Sequence, residues 1–410
     1  MKNKRSVNLL FFCLFIVSFF YSVFSYSLTD PNLIISSWQP YWHFQLWMWQ
    51  TFFKNTQLLT ISYLGLVLSF FIIYLVGLKF FGHQKQPITK KIIIKFLIAF
   101  SPLLFSYNAL SHDVFNYIFN AKMVTLFKAN PHIKTALDFY YDDWTRFMHN
   151  THTPAPYGYG WTIFSVIPYL AGFHKFLSSW FIFKLLAWVS YYLLFLTLTK
   201  FSEKLTNKKL TLQQTWLIFA NPLLVIEILS NLHNDLWMLV PAIAALNMVI
   251  DKPKKYLVPK AIISLLLLAF SISTKLATIT LIPFWFYWFG KWFIHNHKIF
   301  TSILSYETLF PSLISITLFL PLLTERSKMF LPWYLIWSLI WLGQNKLKFW
   351  QNWLLALSLT ALLRYLPWLL AGGFTELVEN QQKILVWGGG LTLFIVFQLV
   401  NWLKKPTSRN

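Results

Sequence analysis

The sequence is short of acids, cysteine and nucleotide-binding glycine loops, and each shortage excludes something. It carries 13 Asp and Glu against 35 Lys and Arg, and charged residues of both signs fill only 12% of its 410 positions. That is about half the charged share of an ordinary soluble globule, so the chain has too little polar surface to be one. The single cysteine, Cys13, lies inside the first apolar run, which rules out an intramolecular disulfide. No Gly-x-x-x-x-Gly-Lys segment occurs, so the commonest cradle for a nucleotide's phosphates is missing. There is also no long low-complexity tract and no repeat of the soluble-domain kind.

What fills the chain instead is apolar: 57% hydrophobic residues, with 20% aromatic. Repeated apolar runs of roughly 20 residues predict an all-α polytopic transmembrane bundle of about 12–13 spans. The candidate spans are 8–28, 57–81, 92–110, 161–200, 213–230, 235–251, 260–275, 276–294, 300–323, 331–343, 351–370 and 383–403. The formal charge of +22 would suggest nucleic acid in a soluble protein. Here the lysines fall in short loops between apolar runs, as the positive-inside rule predicts, and no nucleic-acid partner is expected. Lys2, Lys4 and Arg5 precede the first run without a small-x-small cleavage site after it, the pattern of a retained signal anchor.

Counting 161–200 as one crossing places the lysine-rich segments on the side of the N-terminus, which is then cytoplasmic. The same count sends Asp30, Asp113, Asp138, Asp142, Asp143, Asp235, Glu325, Glu376 and Glu379 to the opposite face of a cell membrane. The run 161–200 is long for one span and short for two, and a double crossing would break that segregation. Residues 29–56, with Trp38, Trp42, Trp47 and Trp49, read as an interfacial aromatic segment. Three regions are expected: 1–91, an N-terminal transmembrane pair; 92–340, a core including the loop 111–160; and 341–410, C-terminal transmembrane helices.

Between Asp113 and Trp161 runs the longest polar connection, whose aromatic and amphipathic content predicts ordered helices lying on the membrane surface. Asn130-Pro131 breaks it, and Pro154, Pro156, Gly158 and Gly160 form a tight entry to the next apolar run. The run SHDVFNYIFNAKMVTLFKANPH (111–132) followed by PAPYGYGW (154–161) resembles the first outer loop of the multi-pass GT-C glycosyltransferases. Within them it is most similar to the bacterial polyprenyl-phosphate-mannose-dependent mannosyltransferases. Further likenesses follow in order: NPLLVIEILSNLHNDLWML (221–239), Ser273-Thr274-Lys275 with Pro283 beyond, and Pro332-Trp333-Tyr334. The chain departs from the family pattern at His132, where a Tyr is usual after Asn-Pro, and at Tyr159, where a Pro is usual after Tyr-Gly.

The resemblance implies an inverting transfer of a hexose, mannose foremost, from a polyprenyl-phosphate donor to a glycan or glycolipid hydroxyl on the extracytoplasmic face. It implies Asp113 as the catalytic base. The competing role for Asp113 is a plain helix N-cap, shared with Ser111. Donor-phosphate binding is expected of Lys275, Arg326, Lys328 and Arg364, since cations in or beside apolar runs are functional by default. For Lys275 the alternative is snorkelling to headgroups. Sugar or acceptor binding is expected of His112, Asn116, Tyr117, Asn130, Tyr157, His233, Asn234, Asp235, Trp333 and Tyr334. His233, Asn234 and Asp235 either bind substrate or satisfy one another, and Glu227, two turns earlier, could join the same buried network. Asp142-Asp143 is a weak candidate for a divalent ion, because adjacent acids on a helix diverge by about 100°. No cofactor is expected, with a divalent metal possible but not favoured. The alternative function is a transporter or flippase of lipid-linked sugars or polysaccharide, for which paired broken helices in two repeated halves would be the sign.

Overall fold

The computed structural model describes residues 4–29, 35–82, 84, 86–108, 110–251, 255–293, 307–328 and 330–403. It is 78% helical and contains no strands among those residues, an all-α polytopic architecture as the apolar runs predict. Among the described residues, six helices are long and apolar enough to cross a bilayer. They are Arg5–Leu28, Thr56–Phe81, Phe176–Thr206, Leu257–Thr274, Lys348–Ala371 and Glu376–Val400. A seventh crossing results if the bent pair Leu212–Phe219 and Pro222–Ser230 counts as one span. Over their described residues the other expected spans are shorter or broken helices; the end of 276–294 and the start of 300–323 lie outside the described residues.

In chain order the elements that frame the site are α1 (Lys4–Ser25), α2 (Gln39–Met48), α3 (Thr56–Phe81), α4 (Lys90–Phe100) and α5 (Asp113–Thr125). They continue with α6 (Tyr159–Ala171), α7 (Phe176–Thr206), α8 (Leu212–Phe219), α9 (Pro222–Leu224), α10 (Asp235–Val249), α11 (Leu257–Thr274) and α12 (Ile282–Gly290). The run 161–200 is thus two helices. α6 has 13 residues and extends about 20 Å, short of the roughly 30 Å hydrocarbon core, whereas α7 has 31 residues and passes it easily.

Local chemistry sets several boundaries. Asn55 caps α3 by accepting from Leu58 N at 3.0 Å, and Thr211 with Gln214 forms a reciprocal capping box on α8. Pro222 occupies the first position of α9 while Asn221 accepts from Leu223 N. Helices α3 and α8 meet closely because Gly77 has no Cβ: one added there would lie 2.2 Å from the Trp216 ring. The indole instead donates to Tyr74 O across the two helices at 2.9 Å. In hydrocarbon, close packing and such interhelical bonds hold helices together, since lipid tails are as apolar as leucine.

Two expectations are corrected. The 331–343 run is no span: Pro332–Leu335 is one tight turn and Ile336–Leu339 one helical turn. Leu335 to Leu342 are buried by protein, which tolerates irregular backbone at that depth. Likewise α5 does not lie on a membrane surface: Val114 to Met123 are all buried, packed chiefly against α6 and α7. Its apolar residues cover all sides because protein surrounds it. In the interfacial stretch, Trp38, Trp42 and Trp47 are exposed while Trp49 is buried and donates to Thr29 O; Asp30 lies outside the described residues.

Candidate active site

Asp113 is the first residue of α5, and the helix end is capped from beyond it, by Ser111 Oγ accepting from the Asp113 amide at 3.3 Å. The carboxylate is therefore free of the capping role. Its Oδ2 lies 3.2 Å from His233 Nδ1.

His233 reaches Asp113 because the chain turns sharply before α10. Val225–Ser230 winds more widely than an α-helix, His233 N donates to Glu227 O at 3.2 Å, and Leu232 holds a left-handed φ of 63°. A leucine in that region stores about 1–3 kcal/mol of strain, the kind of cost tolerated where a side chain must be aimed. The aim is back along its own helix: His233 Nε2 lies 3.2 Å from Glu227 Oε2. Glu227 in turn accepts from Asn231 Nδ2 at 3.0 Å and from the Tyr365 hydroxyl at 3.1 Å. The imidazole is stacked on Trp333, with centroids 3.8 Å apart and planes 17° from parallel.

The result is a carboxylate–imidazole–carboxylate chain in which only one end is accessible. The Asp113 side chain is 19% exposed, while those of His233 and Glu227 are fully covered. Burial alone would strip the proton from His233, but contacts with Asp113 and Glu227 outweigh it and raise it from 6.5 to about 9. Burial likewise pushes Asp113 upward, and His233, Lys275 and Tyr157 reverse this, leaving its carboxyl below the ordinary range. The Tyr157 hydroxyl bonds Asp113 and Asn116, and Tyr117 packs edge-on against the Tyr157 ring with its hydroxyl against the Asn234 backbone.

A second pair lies alongside. Asp235, the first residue of α10, accepts from Lys275 Nζ at 2.8 Å and from Trp337 Nε1. Lys275 sits where α11 gives way to extended backbone, and its ammonium lies 5.4 Å from the Tyr334 ring centroid. That corner is held by the 154–161 stretch. Gly158 N donates to Thr274 O at 3.0 Å, and a Cβ on Gly158 would fall 1.9 Å from Ser273 O. A Cβ on Gly160 would fall 2.1 Å from Ser273 Oγ, so both glycines permit the approach. Among the described residues, Asn234 Oδ1 and Nδ2, Asp235 Oδ2 and Asn116 Oδ1 are buried without a hydrogen-bond partner. Buried polar atoms are normally paired, so these are ready to bond a hydroxylated ligand.

The structure thus brings Asp113, Asn116, Tyr117, Tyr157, His233, Asn234, Asp235, Lys275, Trp333 and Tyr334 into one neighbourhood. Other expected residues are engaged elsewhere. His112 turns into the loop, where Nδ1 donates to Phe147 O at 3.0 Å and the ring stacks on His149. Burial, with His149 beside it, lowers His112 to about 3, so it is a neutral packing residue. Asn130 closes a turn by accepting from His132 N. Lys328 is exposed and pairs with Glu325 one turn away, and the side chain of Arg326 lies outside the described residues. Arg364 is buried next to Tyr365 within the field of Glu227, behind the chain of acids. Asp142 is occupied by Lys122 and by Trp144 N, which removes it as a free metal ligand. No group of three or more His, Cys, Asp or Glu among the described residues is disposed to hold a metal ion.

Tyr365 and Trp337 were not foreseen from the sequence. No local signal separates them from the many other aromatic residues in this chain.

A family model, that of the alpha-(1->6)-mannopyranosyltransferase N-terminal domain, matches residues 32–290. The match includes Asp113, Glu227, His233, Asp235 and Lys275; Trp333, Tyr334, Trp337 and Tyr365 lie beyond it. No curated protein and no solved structure matches the chain. With more than half of its length matched, the chain belongs to the alpha-(1->6)-mannopyranosyltransferase family.

Proposed function

We propose that the protein transfers mannose, with inversion, from a polyprenyl-phosphate donor to a hydroxyl of a glycan or glycolipid on the extracytoplasmic face of a cell membrane. Membership of a mannosyltransferase family supports the sugar and the reaction class. The observation that carries the chemistry is the accessible Asp113 carboxylate, tied to His233 and Glu227 and set beside the Lys275–Asp235 pair.

In this scheme the acceptor hydroxyl gives its proton to Asp113 as its oxygen bonds to the anomeric carbon. The bond from that carbon to the phosphate oxygen breaks, and the electron pair leaves with the polyprenyl phosphate, whose charge Lys275 offsets. One carboxylate suffices for such a displacement, by analogy with the base of inverting glycosidases. Asn116, Asn234 and Asp235 supply bonds to sugar or acceptor hydroxyls, and Tyr157 orients the base. Placement on the extracytoplasmic face rests on the segregation of lysine-rich loops from these acids along the chain.

The test is purified protein in lipid nanodiscs, with labelled polyprenyl-phosphate mannose and an oligomannoside acceptor. Asp113→Asn is expected to lower transfer by at least about 10²-fold, the usual worth of a positioned base. Wild-type transfer by a folded Asp113→Asn protein would refute the assignment. Movement of labelled lipid across the bilayer without covalent change would favour transport instead.

A further inference from the structure

We propose that a basic cavity at the far end of α7 binds the phosphodiester headgroup of an acidic membrane phospholipid that also carries free hydroxyls. Helix α7 begins at Phe176, which stacks on Phe115 two residues from Asp113. Its 31 residues carry the chain about 45 Å along the helix axis, so the cavity belongs to the opposite end of the molecule. The site is independent of the chemistry proposed above.

The cavity encloses about 480 Å³ between the end of α7, the start of α8 and the segment before Phe310–Phe319. Lys208, Lys209 and Lys346 line it, together with Ser202, Thr206 and Gln344. Among the described residues, no acidic side chain lines it. The acids closest in sequence are Glu203, which is exposed, and Glu307, which is held by Lys291 and Tyr287; Asp251 pairs with the nearby Lys204. Among the described residues, three lysines thus line a largely apolar hollow whose walls supply no counter-ion.

Gln344 adds information about the ligand. It is 8% exposed; its Nε2 donates to Leu198 O at 3.2 Å, and its Oε1 has no hydrogen-bond partner. A buried amide oxygen seeks a donor, which a bare phosphate diester lacks and a headgroup hydroxyl supplies. Lysines bind phosphate as point charges, and basic pockets between membrane helices are suited to lipid headgroups. A lipid is favoured over a free phosphate ester because the cavity lies at the end of a span far longer than the hydrocarbon core, and Leu205 and Pro311 add apolar lining.

The experiment is native mass spectrometry of protein exchanged into equal phosphatidylglycerol and phosphatidylcholine. Wild type is expected to retain phosphatidylglycerol. The Lys208→Ala, Lys209→Ala, Lys346→Ala triple variant is expected to lose about 100-fold in affinity, and a Lys90→Ala, Lys91→Ala control to lose little. Equal retention by the triple variant, or equal loss by the control, overturns the site. Displacement of the lipid by soluble glycerol phosphate at the same concentration overturns the lipid as its source. Gln344→Leu keeps all three lysines, and should abolish the preference for phosphatidylglycerol over phosphatidylmethanol, which lacks the glycerol hydroxyls. An unchanged preference refutes the hydroxyl contact, and this variant decides the matter if the triple variant fails to fold.

Discussion

Glu227 never meets solvent, yet the geometry makes it a controller of the pH range over which the protein works. His233 touches two carboxylates at the same distance, 3.2 Å, and is raised to about 9 against the opposing effect of burial. The two carboxylates must together exceed the net rise, because burial subtracts from it. If they contribute comparably, removing one takes away more than half the rise, and His233 in Glu227→Gln should titrate below about 8. The rise is worth about 3 kcal/mol of preference for the imidazolium in the folded protein. Since the folded value lies above 6.5, that stabilisation is fully present below pH 6.5 and is lost as pH climbs toward 9. The assay is kcat/KM for mannosyl transfer between pH 5 and 10, with thermal unfolding followed by tryptophan fluorescence over the same range. Wild type should lose activity and stability together near pH 9, and Glu227→Gln should lose activity at least one pH unit earlier. An alkaline limb that does not move in a folded Glu227→Gln protein would refute the coupling.

Other consequences follow from single contacts. Gly158→Ala must push its new methyl against Ser273 O, displacing the corner that presents Lys275. Overpacking of this kind costs about 1–3 kcal/mol, so transfer should fall about tenfold or more, while Gly65→Ala, which meets open space, should be neutral. Tyr365→Phe removes a donor from the buried Glu227 carboxylate and should destabilise the protein by about 1–3 kcal/mol, seen as a lower unfolding temperature. An unaltered transition would mean that Glu227 is satisfied without it.

Much of the site was legible because its charged members stand out against an apolar chain. Asp113, the His233-Asn234-Asp235 cluster and Lys275 each interrupt or end an apolar run, where a charge needs a partner, and the structure pairs them with one another. Trp333 was found through a short motif, but its face-to-face contact with His233 was not, since stacking leaves no mark in sequence. The turn at Leu232 was equally hidden: nothing in NLHND announces a left-handed leucine. The apolar runs misled where protein rather than lipid covers them. Leu335 to Leu342 are as apolar as a span, and the aromatic residues of α5 read as a membrane-facing side, because composition cannot say which surroundings an apolar residue meets.

The pairing of Asp235 with Lys275 also constrains how a phosphate could be held. Asp113, Glu227 and Asp235 are offset locally by His233, Lys275 and Arg364, so among the described residues no cation in the neighbourhood is in surplus. An arriving phosphate must therefore compete with Asp235 for Lys275, and Asp235 must keep Trp337 as its remaining donor. If Lys275 changes partner in this way, Asp235 weakens donor and product binding in the ground state and assists release of polyprenyl phosphate. Asp235→Asn keeps the shape and an acceptor for Trp337 but removes the competing charge. Inhibition by polyprenyl phosphate should then tighten by about tenfold or more, because the counter-charge removed is fully buried. Lys275→Met should weaken it by a similar factor, and the double variant should resemble Lys275→Met alone. Tighter inhibition that persists in the double variant would show that the phosphate is held by another group, and weaker inhibition in Asp235→Asn would show that Asp235 serves only to position the lysine.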